Sequence, residues 1–214
     1  MKTALIAGAT GLIGQAILKQ LLDCKRYHKV IALVRRPLDL NHPKLEELEI
    51  DFNQVDNFKA SEAVTDVFCC LGTTIKTAGS KEAFTKVDYT YVVELANWAK
   101  QNGSQLFSVV SSVGATPNTS NFYLLTKGKM ETEVSSIGLE TVHIFRPSLL
   151  IGKRNEFRFG EKVSEVLMTL FQPLLVGRFR KFRAIKANEV ALAMCKRAQS
   201  EEKGKFIFEG DQIC

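Results

Sequence analysis

The segment Gly8 to Gly14, GATGLIG, restricts the fold of this chain more than any other stretch. It follows directly on the apolar run Thr3–Ala7 and leads directly into a helical pattern, Leu12–Cys24. A strand that turns sharply into a helix leaves free backbone N–H groups and a partial positive charge at the helix N-terminus, which suits a pyrophosphate. Gly8 then permits the tight bend, Gly11 clears the phosphate path, and Gly14 lets the helix approach the strand. The spacing is GxxGxxG and differs from the GxGxxG common among dehydrogenases. A plain glycine-rich turn would not need a strand before it and a helix after it, so the nucleotide reading is preferred.

The rest of the chain repeats the same alternation. Apolar runs rich in branched residues occur at Thr3–Ala7, Val30–Val34, Leu48–Asp51, Val67–Leu71, Leu106–Val110, Thr141–Phe145 and Lys205–Phe208. Helical periodicity fills Leu12–Cys24, Lys81–Gln101, Lys127–Ile137 and Asn188–Ala198. Within Lys81–Gln101 the inward face is read as Phe84, Val87, Tyr91, Val92, Leu95 and Ala96, and Asn102-Gly103 ends the helix. Strands alternating with helices predict an α/β fold, a doubly wound parallel sheet of Rossmann type. With 214 residues the chain is read as one such domain. Residues 152–183 form a small C-terminal substrate lobe, with an apolar helix at Val163–Phe171.

Composition narrows the setting. No apolar stretch approaches the roughly 20 residues of a bilayer span, so no membrane partner is expected. The opening MKTALIAGATGLIG reads as a first strand and not as a secretory leader, because its glycines are in phase with a helix start. Cys24, Cys69, Cys70, Cys195 and Cys214 show no CxxC spacing, which predicts unpaired thiols and a cytoplasmic protein. His28, His42 and His143 are scattered without metal-ligand spacing. The net charge of +6 is compatible with a phosphate-bearing ligand. Arg178, Arg180, Lys181, Arg183 and Lys186 interleave with Phe179 and Phe182. That period of two describes a solvated edge with buried rings better than a nucleic-acid surface.

Chemistry-bearing residues fall at strand ends. Arg35 and Arg36 close the second strand, where NAD-binding domains of this kind usually place an acid. Two guanidiniums there favour the 2′-phosphate of NADP(H), with charge-assisted hydrogen bonds of about 1.5–3 kcal/mol each. Asp51 is read either as an acceptor for an adenine amino group or as a turn aspartate bonded to its own backbone. Gly72, Thr73 and Thr74 let backbone and hydroxyls approach a cofactor. Ser111 and Ser112 end the fifth strand, followed by Tyr123 and Lys127, four apart and so on one helical face. A phenol needs to drop by roughly three units, about 4 kcal/mol, to exchange protons near neutrality. An ammonium at about 5 Å supplies roughly 3 kcal/mol of that.

GATGLIG, the strand-end LGTT, SS followed by YLLTK, and FRPSLLIG together resemble the short-chain dehydrogenase/reductase superfamily in its atypical single-domain branch. CCLGTT, AGS before KEAFTKVDYTYV, and SNFYLLTKGKME resemble the Tat-interacting-oxidoreductase-like group, which includes bacterial nucleoside-diphosphate-sugar-epimerase-like members. The resemblance implies that Thr10, Gly11, Leu12 and Ile13 hold the pyrophosphate, while Arg35 and Arg36 take the 2′-phosphate. It implies that Leu71 and Gly72 line the adenosine side, that Leu150 faces the nicotinamide ring and that Arg158 approaches the cofactor from the small lobe. Tyr123 is implied as general acid, Lys127 as ribose ligand and tuner of Tyr123, and Ser111 or Ser112 as carbonyl ligand. Asp88 stands where the superfamily usually has asparagine, which puts the usual proton relay in doubt. The chain is also far shorter than sugar-nucleotide epimerases. Two function classes stay open: an NADP(H)-dependent oxidoreductase for a small carbonyl or alcohol, and an NADPH-binding regulatory protein with a protein partner.

Overall fold

The computed structural model describes residues 1–151 and 183–213. The strands are β1 (Lys2–Ala7), β2 (Tyr27–Val34), β3 (Leu45–Glu49), β4 (Asp66–Cys69), β5 (Leu106–Val110), β6 (Thr141–Arg146), β7 (Leu150–Ile151), β8 (Ile185–Lys186) and β9 (Gly204–Glu209). The helices are α1 (Leu12–Asp23), α2 (Ile75–Ala78), α3 (Lys81–Thr85), α4 (Tyr91–Gln101), α5 (Phe122–Ser136) and α6 (Ala187–Arg197). A π turn, Lys86–Thr90, joins α3 to α4.

Seven strands form one sheet in the order β3-β2-β1-β4-β5-β6-β9, and every pairing is parallel. Parallel strands require crossovers on the faces, and both faces are covered. On one side Ile13, Ile17 and Leu21 of α1 and Val190, Ala191 and Met194 of α6 pack with Ala4, Ile6 and Phe145. On the other, Val92, Leu95 and Ala99 of α4 and Met130 and Val134 of α5 pack with Leu5, Val67 and Phe107. The sheet is the predicted doubly wound Rossmann-type architecture. Strand order reverses between β1 and β4, and ligands of such sheets bind beyond the carboxyl ends at that reversal.

Three local readings shift. The third strand runs Leu45–Glu49 and pairs Val30 with Leu45 through Val34 with Glu49, so it starts earlier than Leu48–Asp51. Edge position explains this: β3 needs only backbone partners on one side, so glutamates are tolerated, and Glu46 pairs with Lys29 at 3.0 Å. The fifth helix begins at Phe122, capped by Asn121, whose side chain accepts from Leu124 N, so Tyr123 and Lys127 lie within one helix. Within α3–α4 the buried positions are Phe84, Asp88, Val92, Leu95, Ala96, Trp98 and Ala99, while Val87 and Tyr91 are half-buried. A reading led by hydrophobicity passes over Asp88 because it is charged. Most of the proposed substrate lobe, 152–182, lies outside the described residues, with the helix at Val163–Phe171 and residues Arg178 to Phe182 of the basic run. Leu150–Ile151 and Ile185–Lys186, on either side of it, form a small parallel pair.

Candidate active site

At Gly8 and Gly14 the chain has no room for a side chain. Gly8 has φ +85°, and a Cβ there would lie 2.5 Å from the Cys70 carbonyl oxygen. A Cβ on Gly14 would lie 2.0 Å from the Gly8 oxygen. Gly11 N donates to Gly8 O at 3.0 Å and closes the turn. Gly11 caps α1 without a side chain, and no acid stands in the first helical turn. The N–H groups of Leu12 and Ile13 therefore have no acceptor among the described residues. Thr10 is exposed at the rim, with its carbonyl taken by Gln15 Nε2 at 3.0 Å.

Arg35 and Arg36 are exposed beyond β2, with no ion pair to either among the described residues. Asp51 caps a 3-10 turn, Phe52–Gln54, its Oδ1 accepting from Asn53 N at 2.9 Å and Asn53 Nδ2 at 2.8 Å. Of its two sequence readings, the geometry is that of the turn aspartate. Leu71 is half-buried against the α4 side of the core, and Gly72 is exposed. Thr73 N donates to Asp88 Oδ2 at 2.8 Å, and Thr74 caps α2.

Asp88 and Lys127 are the electrostatic centre of this crevice. Asp88 is 1% exposed and Lys127 3%. Lys127 Nζ lies 2.8 Å from Asp88 Oδ1, an ion pair whose direction falls short of a good hydrogen bond. Nζ also reaches the Val110 carbonyl at the end of β5, at 3.5 Å. Burial pulls the Lys127 ammonium down, but Asp88 and then the Tyr123 oxygen outweigh it and hold the ammonium above an ordinary lysine. A Cβ on Gly72 would lie 3.4 Å from Asp88 Oδ1 and 3.8 Å from Lys127 Nζ, so the pair sits directly beneath the end of β4. Tyr123, one turn before Lys127, is half-exposed, with its ring centroid 5.6 Å from that of Phe84.

The two serines have different surroundings. Ser111 is buried and its Oγ donates to Glu131. Glu131 is itself held by Arg146 Nε at 2.9 Å, and Arg146 also reaches Glu209 at 2.7 Å. These carboxylates hold the Arg146 guanidinium above its usual value. Ser112 is half-buried, and among the described residues its Oγ makes only a long 3.4 Å contact with the Val113 carbonyl. Ser112 is thus the serine whose hydroxyl remains available. The Glu131–Arg146–Glu209 network escaped sequence reasoning. Its signals were Glu131 four residues after Lys127 and a lone arginine closing the apolar strand β6. Leu150 is half-buried in β7, and Arg158 lies outside the described residues. Burial disfavours the thiolate at both adjacent cysteines, pushing Cys69 up to about 12 and Cys70 well above its usual value.

A family model described as NAD(P)H-binding matches residues 8–167. The chain belongs to that family. This NAD(P)H-binding chain is 35% identical over 164 residues to protein HTATIP2 of Rattus norvegicus, covering 75% of this chain and 67% of the relative. It is 34% identical over 217 residues to the mitochondrial protein FMP52 of Eremothecium gossypii, covering 98% and 95%. Among solved structures, MoeE5 in complex with UDP-glucuronic acid and NAD superposes with TM-score 0.72 at 17% identity, over 96% of this chain and 75% of that one. Bordetella bronchiseptica WbmH in complex with NAD+ gives 0.71 at 19%, over 98% and 76%. At such identities these structures show a shared Rossmann fold. The expectation of a cytoplasmic protein is corrected by the fungal relatives, which are named mitochondrial proteins. Unpaired cysteines report a reducing environment, and that property does not single out one compartment.

Proposed function

We propose that this chain is an NADP(H)-dependent oxidoreductase acting on a small carbonyl compound or the corresponding alcohol. The observation that carries this reading is the Lys127–Asp88 pair beneath the end of β4, with Tyr123 one turn away on the same helix and Ser112 at the end of the next strand. The crevice fits a dinucleotide. The α1 N-terminus is uncapped, and a Cβ on Gly11 would meet only the Gly8 oxygen, at 3.3 Å, so the approach to the free N–H groups is open.

When bound, the cofactor would supply or accept the hydride. Thr10, Gly11, Leu12 and Ile13 receive the pyrophosphate, and Arg35 and Arg36 the 2′-phosphate. Leu71, Gly72 and Thr73 line the path between the two ends, with Leu150 on the nicotinamide side. Ser112 donates a hydrogen bond to the substrate carbonyl. Tyr123 gives its proton to the forming alkoxide, and the Lys127 ammonium stabilises the phenolate left behind.

Isothermal titration of the full chain with NADPH and NADH tests the cofactor. NADPH is expected to bind at least about tenfold more tightly, from one or two charge-assisted contacts, and Arg35→Asp to abolish most of the difference. Equal affinities in the unaltered protein would refute the NADP preference. A panel of aldehydes, ketones and quinones followed by NADPH absorbance then tests the reaction.

A further inference from the structure

Asp88 has no part in the proton transfer just described, yet it is the most buried charged group in the crevice. It shares the face of Phe84 and Val92 and enters through the π turn, a widened helical turn often found at functional sites. One carboxylate oxygen takes the Thr73 N–H and the other faces the Lys127 ammonium. Of the other groups facing Lys127, Val110 offers a carbonyl, Cys69 a buried thiol and Tyr123 its phenol oxygen, so Asp88 is the carboxylate paired with the ammonium. Glu131, one turn further along α5, is already paired with Arg146.

Resting on the reading that the nicotinamide end of the cofactor lies beside Lys127, we propose that Asp88 sets the oxidation-state preference of the crevice. Oxidised nicotinamide carries a positive charge and reduced nicotinamide does not. A lysine with a neutral asparagine would leave one net positive charge in the site and disfavour the oxidised form. With Asp88 the buried pair is neutral, so that penalty is removed and NADP+ is retained more nearly as well as NADPH. Asp88 is a positioning residue in this scheme, acting through Lys127 and the Thr73 backbone without touching the substrate.

The test is the ratio of dissociation constants, NADP+ over NADPH, measured by titration in a ladder of charge variants. Asp88→Asn, read at about pH 6 so that the buried lysine keeps its proton, is expected to raise the ratio roughly tenfold or more over the unaltered protein at the same pH. Lys127→Met, read at about pH 8, is expected to lower it, the opposite change, because the Asp88 carboxylate then faces the oxidised ring alone. The double variant, neutral again, is expected to return it to within about threefold of the unaltered protein. A packing role alone would weaken both forms equally and leave the ratio fixed. An unchanged ratio in every variant that binds therefore overturns the proposal while leaving the cofactor assignment intact. Failure of the unaltered protein to bind either form overturns both. Should Asp88→Asn fail to fold, the Lys127→Met and double variants decide, because a ratio that does not fall and return between them is equally fatal.

Discussion

Tyr123, Lys127 and Ser112 divide the labour that the proposed reaction needs, and their surroundings explain which of them tolerates change. Tyr123 is half-exposed and packs by its ring against Phe84, so removing its hydroxyl disturbs little else. Tyr123→Phe is expected to keep NADPH affinity within about threefold while lowering turnover on any reduced carbonyl at least about 100-fold. Stopped assays at saturating NADPH measure the second quantity, and undiminished turnover would remove Tyr123 from the mechanism. Lys127 and Asp88 are less forgiving, because deleting one partner strands a buried charge at a cost of about 3–5 kcal/mol. The serine pair shows how neighbours assign roles that adjacency in sequence leaves open. Ser111 is bound to Glu131, while Ser112 keeps a hydroxyl without a close acceptor among the described residues.

Helix α5 and the loop after β5 are fitted together as one unit. Ser111 N donates to Phe145 O at 2.7 Å and Val113 N to Pro147 O at 2.9 Å, which ties the loop to the end of β6. From the other side, Gly128 lets α5 come so close that a Cβ there would lie 2.2 Å from the Thr116 carbonyl carbon. Backbone cannot yield as a flexible side chain would. Gly128→Ala is expected to cost about 1–3 kcal/mol of stability, by urea denaturation, and to lower turnover more than cofactor affinity, since the displaced loop carries Ser112. A fully stable, fully active variant would mean that the helix and loop are not held in register as described. The network from Glu131 through Arg146 to Glu209 fastens the same helix to the ends of β6 and β9.

The far edge of the sheet makes the stability of the protein depend on pH. His143, on β6, is 3% exposed, lies edge-on to Phe206 and Phe208, and has an Nδ1 without a partner among the described residues. Burial, with Arg197 nearby, lowers it to about 4. The unfolded chain binds this proton near 6.5 and the folded chain only near 4, so the unfolded state carries more protons in between. Stability from His143 is therefore complete above about pH 6.5 and is lost as pH falls towards 4, by up to about 3 kcal/mol. His143→Leu is expected to flatten that part of the profile in denaturation midpoints taken at about pH 7.5, 5.5 and 4.5. A profile as steep as that of the unaltered protein would place the acid sensitivity elsewhere.

Local chemistry was enough to read the parallel sheet, the glycine turn into α1 and the spacing of Tyr123 and Lys127. Alternating apolar runs, a glycine that must adopt positive φ and a four-residue helical step are each decided by neighbours within a few residues. The edge strand β3 was displaced in that reading because its pairing comes from β2, across the sheet, and its own glutamates carry no strand signal. Long-range contact decided the rest. Asp88 read as a break in the expected relay until burial placed it against Lys127. The two serines were equivalent until Glu131 and Arg146 claimed one of them. An ion pair between residues 88 and 127, or a carboxylate shared by α5, β5 and β6, leaves no periodicity in the chain. Desolvation and distance give those charges their meaning, and both exist only once the sheet has brought its carboxyl ends together.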